Sequence, residues 1–123
     1  MARILVVDDS PTETHEMVNT LVEQGHQVLT AISGSDGVDL ANAEQPDIVL
    51  MDVVMPGVNG FQATRQITRG EHTSHIPVVI VSSKNQTADR VWGERQGACG
   101  YLTKPVDQRI LISTVNDVLQ DRV

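Results

Sequence analysis

Apolar residues gather along this chain into five short aliphatic runs, separated by longer stretches in which apolar and polar positions mix. The runs lie at about Arg3–Val7, Gln27–Ala31, Ile48–Met51, Val78–Val81 and Gly100–Thr103. The first, third and fourth are rich in Val, Ile and Leu without polar alternation, the signature of parallel strands covered on both faces. The stretches between them predict helices. The first opens at Ser10-Pro11, a cap residue followed by proline in the first turn. Its apolar stripe is Met17, Val18, Leu21 and Val22, and Gly25 stops it. A second helix is predicted over about Ser35–Glu44, with Val38, Leu40 and Ala41 inward, and a third over Gly60–Arg69. A fourth spans about Gln86–Gln96, closed by Gly97. The last runs from Asp107, a cap, to about Arg122, with Ile110, Leu111, Val115, Val118 and Leu119 inward. Pro46, Pro56-Gly57 and Pro77 punctuate the order.

Five strands alternating with five helices predict an α/β fold with a parallel sheet. They use the chain completely, so the expectation is one domain, 1–123, with no output domain. The aliphatic runs supply the core, because the aromatic residues are just Phe61, Trp92 and Tyr101. Nine Lys and Arg against 16 Asp and Glu give a net charge of −7. That argues against a surface working by phosphate neutralisation on nucleic acid. The single cysteine, Cys99, suits a reducing compartment and is expected to be a small buried hydrophobe. The amino-terminal stretch is too short and acidic for a secretory signal, and no run approaches the roughly 20 apolar residues of a membrane helix. The chain reads as cytoplasmic, with no membrane insertion.

Polar residues placed just past the strands change the picture most. Asp8 and Asp9 follow the first strand, Asp52 the third, Ser82 the fourth, and Lys104-Pro105 the fifth. In open parallel sheets, ligands bind outside the carboxyl ends of the strands, at the switch point of the strand order. In a flavodoxin-like sheet of order 2-1-3-4-5, strands one and three are neighbours there, so Asp8, Asp9 and Asp52 would face one another. At roughly 4 Å and an effective dielectric near 20, two like charges repel by about 4 kcal/mol. Such a cluster requires raised pKa values or a cation. An all-oxygen donor set suits Mg²⁺, which keeps waters and binds phosphate oxygens; Zn²⁺ prefers nitrogen and sulfur ligands. With Mg²⁺ and Lys104 on either side, a phosphoryl group can be held while the Ser82 hydroxyl bonds it. Asp52 is then placed as a carboxylate nucleophile.

These residues, with Met55-Pro56-Gly57 and Gly60, resemble those of response-regulator receiver domains, in order and at family spacing along the whole chain. The resemblance implies a CheY-like protein that accepts a phosphoryl group on Asp52 from a histidine kinase. Asp9 and Asp52 are implied as metal ligands with the Val54 backbone carbonyl, and Asp8 as acting mainly through water on the metal. Ser82 and Lys104 would contact the phosphoryl group, with Ser82 and Tyr101 as switch residues. The signal would pass to a protein partner through the face of the fourth helix, fifth strand and fifth helix. The stretches 60–65 and 91–98 are similar to single-domain regulators of type IV pilus twitching motility. A monomer is expected, and no enzyme beyond its own phosphorylation and dephosphorylation.

Val54 and Lys84 depart from what some receivers carry two positions past the acceptor and past the Ser82 position. Val54 cannot hydrogen-bond an attacking water, so it is expected to slow loss of the phosphoryl group. Competing readings are a phosphate sink without its own target, a haloacid-dehalogenase-like phosphatase and an FMN binder. The phosphatase wants Asp-x-Asp and a cap segment, and the FMN binder wants a phosphate loop after the first strand; the sequence offers none of these. Tyr101 and Trp92 could each be packing residues, and His15, His26, His72 and His75 lack ligand spacing.

Overall fold

The computed structural model describes residues 2–53, 59–83 and 87–120. Its elements are β1 (Arg3–Val7), α1 (Pro11–Glu23), β2 (Gln27–Ala31), α2 (Gly34–Glu44), β3 (Ile48–Asp52), α3 (Gly60–Arg69), β4 (Val78–Ser82), α4 (Thr87–Arg95), β5 (Gly100–Thr103) and α5 (Gln108–Gln120). The strands form one sheet of order β2-β1-β3-β4-β5, parallel throughout. Side chains alternate across a strand, so each of the central strands feeds two cores. Ile4, Val6, Ile48, Leu50, Val79 and Val81 meet Met17 and Leu21 of α1 and Leu111 and Val115 of α5. Leu5, Val7, Val49, Met51 and Val78 meet Ala41 of α2 and Ala63 and Ile67 of α3. Every residue of β3 and β4 is buried, which is why those runs show no polar alternation. Each fully buried large aliphatic side chain contributes about 1.5–3 kcal/mol.

Local chemistry sets the helix ends. The Ser33 hydroxyl caps α2 at the Asp36 N–H, so that helix begins at Gly34, one residue before the Ser35 expected. The Asp107 carboxylate accepts from Arg109 and Ile110 N–H at 2.8 and 3.2 Å, as its predicted cap role requires. Gly25 and Gly97 take φ +88° and +99°, left-handed values that carry the chain out of α1 and past α4 at little cost. Gly60 serves by its size, because a Cβ there would overlap the Asp52 carbonyl oxygen and the Val53 Cα. Glycine thus lets α3 start directly against the end of β3.

Three side chains lie differently from expectation. Val22 and Ile110 are 52% and 55% exposed. Each is about 100° around its helix from the buried seam position beside it, Leu21 or Leu111. The seam of α1 is completed by Thr20, whose hydroxyl donates to the Glu16 carbonyl. Cys99 is exposed rather than buried: its N–H donates to the Val78 carbonyl at 2.9 Å, so the backbone joins the sheet while the side chain faces outward. Trp92 is also half-exposed.

Candidate functional site

The parallel register brings the ends of β1, β3 and β4 to one edge: Val7 lies beside Met51, and Asp52 beside Val81. One carboxylate oxygen from each of Asp8, Asp9 and Asp52 falls within 4.8 Å of the others. Asp8 and Asp52 are 2% and 5% exposed, whereas Asp9 lies open to solvent. Asp8 is fixed from several sides. Its N–H donates to the Ala31 carbonyl at 3.0 Å, and its Oδ1 accepts from Ser10 N–H at 2.8 Å.

Lys104 enters from β5. Its N–H donates to the Ser82 carbonyl at 2.8 Å, extending the β4–β5 ladder past Thr103, and its bond to Pro105 is cis. The Nζ lies 2.9 Å from Asp8 Oδ2 and 3.4 Å from Asp52 Oδ2, and forms an ion pair with Glu13. Burial lowers the Lys104 pKa, but hydrogen bonds to Glu13 and Asp8 and the charges of Asp52 and Asp8 outweigh it. The ammonium is held above its ordinary value. Three carboxylates, those of Asp8, Glu13 and Asp52, thus gather around one ammonium.

The donor set tests what cation fits here. Three carboxylates, two of them buried, offer only oxygen at close range, which suits a hard cation such as Mg²⁺ rather than Zn²⁺. On the α1 side a groove of about 310 Å³ runs from Asp8 and Asp9 past Pro11 and Thr14 to Ile32. Asp9 is the carboxylate it leaves open to solvent.

Ser82 is fully buried at the end of β4, paired in register with Thr103. Tyr101 is half-buried on β5, with the Arg90 guanidinium 5.0 Å from its ring centroid, within range for a cation–π contact. Arg90 Nη2 also donates to Thr103 Oγ1 at 3.2 Å, tying α4 to β5. Val54 and Lys84 lie outside the described residues.

Sequence reasoning missed two participants, Glu13 and Arg90. A signal for Glu13 existed in Ser10-Pro11-Thr12-Glu13, which fits a helix capping box but says nothing about Lys104. Arg90 on α4 carried no signal beyond its charge.

The fold, with three carboxylates and a lysine at one edge of its sheet, defines a response-regulator receiver domain. The chain belongs to that family: the model of the response regulator receiver domain matches residues 4–116. Among individual proteins, it is 62% identical over 119 residues to Protein PilH of Pseudomonas aeruginosa, covering 97% of this chain and 98% of that one. The chemotaxis protein CheY4 of Vibrio cholerae superposes with TM-score 0.90 at 28% identity, covering 96% and 98% of the two chains. The receiver domain of the sensor histidine kinase PA1611 of P. aeruginosa gives 0.90 at 26% identity, covering 97% and 98%. That structure holds a magnesium ion coordinated in its active-site cleft. Among the described residues, no helix is long and apolar enough to cross a membrane.

Proposed function

We propose that this protein is a phosphoacceptor response regulator, charged on Asp52 by a histidine kinase with Mg²⁺. The observation carrying the reading is the trio of carboxylates within 4.8 Å with the Lys104 ammonium 3.4 Å from Asp52. Asp9 and Asp52 would hold Mg²⁺ directly together with the Val54 carbonyl, and Asp8 would act mainly through water on the metal. The cation supplies positive charge that offsets the approaching phosphoryl oxygens. An Asp52 oxygen bonds to phosphorus as the donor's phosphorus–nitrogen bond to histidine breaks. Lys104 and the Ser82 hydroxyl bind oxygens of the transferred group, so charge that develops there is met by fixed donors.

An acyl phosphate at Asp52 draws the Ser82 hydroxyl toward it. Tyr101 then moves inward, leaving Arg90, and the face of α4, β5 and α5 changes for a protein partner. The half-exposed Trp92 on α4 supports recognition at that face. Residues 1–123 act as a monomeric receiver domain in the cytoplasm, with no turnover beyond its own charging and discharge. The 62% identity to PilH, over nearly the whole of both chains, supports a place in type IV pilus twitching motility.

Incubation with acetyl phosphate and Mg²⁺, followed by hydrogen exchange, tests the reading. Protection is expected to change in α4, β5 and α5 of wild type and not of Asp52→Asn. Charging that leaves that face unchanged would contradict the switch.

A further inference from the structure

We propose that Glu13 is a positioning residue of this site, one that holds the Lys104 ammonium at rest and must release it before Asp52 is charged. The inference rests on the roles of Asp52 and Lys104 proposed above. It begins in the local sequence. Ser10-Pro11-Thr12-Glu13 has capping-box spacing, in which the acidic side chain reaches back to the cap residue's N–H. Here that N–H already donates to Asp8 Oδ1 at 2.8 Å. The other half of the box is a long bond, 3.5 Å from Glu13 N to Ser10 Oγ. The Glu13 carboxylate is therefore left for another partner, and it pairs with Lys104 from the first turn of α1.

Of the three N–H donors of an ammonium, Lys104 directs hydrogen bonds to Asp8 and Glu13, while Asp52 lies farther off at 3.4 Å. For Nζ to close on a phosphoryl oxygen carried by Asp52 it must shift away from Asp8 and Glu13, and one of those two contacts must loosen. The Asp8 side chain is 1% exposed, and losing Lys104 would leave a buried carboxylate short of a partner. Asp52 is the reacting group itself. The Glu13 side chain is 45% exposed, so water can solvate it at once when it lets go. Release of Glu13 is the cheapest route, and it sits on the path to charging.

During the reaction an Asp52 oxygen forms its bond to phosphorus while the donor's bond to phosphorus breaks. With acetyl phosphate, acetate leaves with the electron pair. Glu13 touches none of these atoms; it acts through Lys104. Removing its hold raises the charging rate by about two- to five-fold, the scale of one half-exposed ion pair.

Glu13→Gln and Glu13→Asp test this together. Aspartate keeps the charge but is one methylene shorter and cannot hold the same contact. Charging by acetyl phosphate with Mg²⁺ is timed by intact mass, and the Lys104 ammonium is followed by NMR of isotope-labelled lysine in metal-free protein. The expected result is faster charging in both variants and a moved Lys104 signal in both. Acceleration confined to Glu13→Gln would show that charge alone matters and would overturn the proposal, as would wild-type or slower rates in both. A wild type that takes up no phosphoryl group overturns the phosphoacceptor reading, and this inference falls with it; wild-type charging with unchanged variants sinks this inference alone.

Discussion

Lys104→Met removes the charge around which the site is built while keeping most of the side chain's stem. The wild-type ammonium is 11% exposed and lies between Asp8 and Asp52, whose side chains are 1% and 6% exposed. Two effects oppose each other. Burying the lysine costs desolvation energy, which the substitution recovers. Deleting it leaves two buried carboxylates facing each other, and breaking a buried pair by removing one partner costs about 3–5 kcal/mol. The second effect wins, because Nζ lies 2.9 Å from Asp8 Oδ2 and 3.4 Å from Asp52 Oδ2, both on buried side chains. The half-exposed Glu13 arm adds at most about 1 kcal/mol. Lys104→Met should therefore lose about 3 kcal/mol in metal-free protein, read as a lower urea midpoint with unchanged slope. Because an added cation takes over part of the lost charge, Mg²⁺ should restore more stability to the variant than it adds to wild type. A loss below about 1 kcal/mol, or a larger Mg²⁺ gain in wild type, would refute the account of Lys104 as the site's internal counter-ion.

Other outcomes follow from single residues. Gly60→Ala places a Cβ against the Asp52 carbonyl and the Val53 backbone; an overpacking cost of about 1–3 kcal/mol and slower charging at Asp52 are expected together from a urea melt and a timed mass assay. Burial holds the His26 pKa below its ordinary value, and Nδ1 accepts from Ala2 N–H at 3.1 Å. The unfolded chain then takes the proton first, so the His26 contribution is full above about pH 6.5 and is lost as pH falls through the folded value. Urea midpoints of wild type should drop more than those of His26→Gln between about pH 8 and pH 5. Val54→Asn should speed phosphate loss from charged protein, timed after removal of the donor, and an unchanged or slower rate contradicts the shielding expected of Val54.

The elements and the acidic edge were legible because the decisive signals are short and local. Unbroken aliphatic runs such as Ile48–Met51 require a strand covered on both sides, and parallel connection puts every strand's carboxyl end on one edge. Asp8, Asp9, Asp52, Ser82 and Lys104 then gather there from spacing alone. Choices made among competing partners were not legible. Glu13 reads as half of a capping box, and only the Asp8 carboxylate's hold on Ser10 N–H sends it to Lys104 instead. Ile110 reads as apolar and therefore inward, yet the seam of α5 is fixed by Leu111 and Val115. Cys99 was assigned by the habit of its residue type, whereas it is exposed just before β5, where its N–H bonds the Val78 carbonyl. Arg90 meets Tyr101 and Thr103 across an element boundary that periodicity does not describe.

The central claim is that Asp52, among the three clustered carboxylates, forms the bond to phosphorus. Intact mass after acetyl phosphate and Mg²⁺ tests it, comparing wild type with Asp52→Asn and repeating both with a chelator. One phosphoryl group on wild type, lost with the chelator and absent from Asp52→Asn, is the result expected; an adduct of equal yield on both proteins would contradict it.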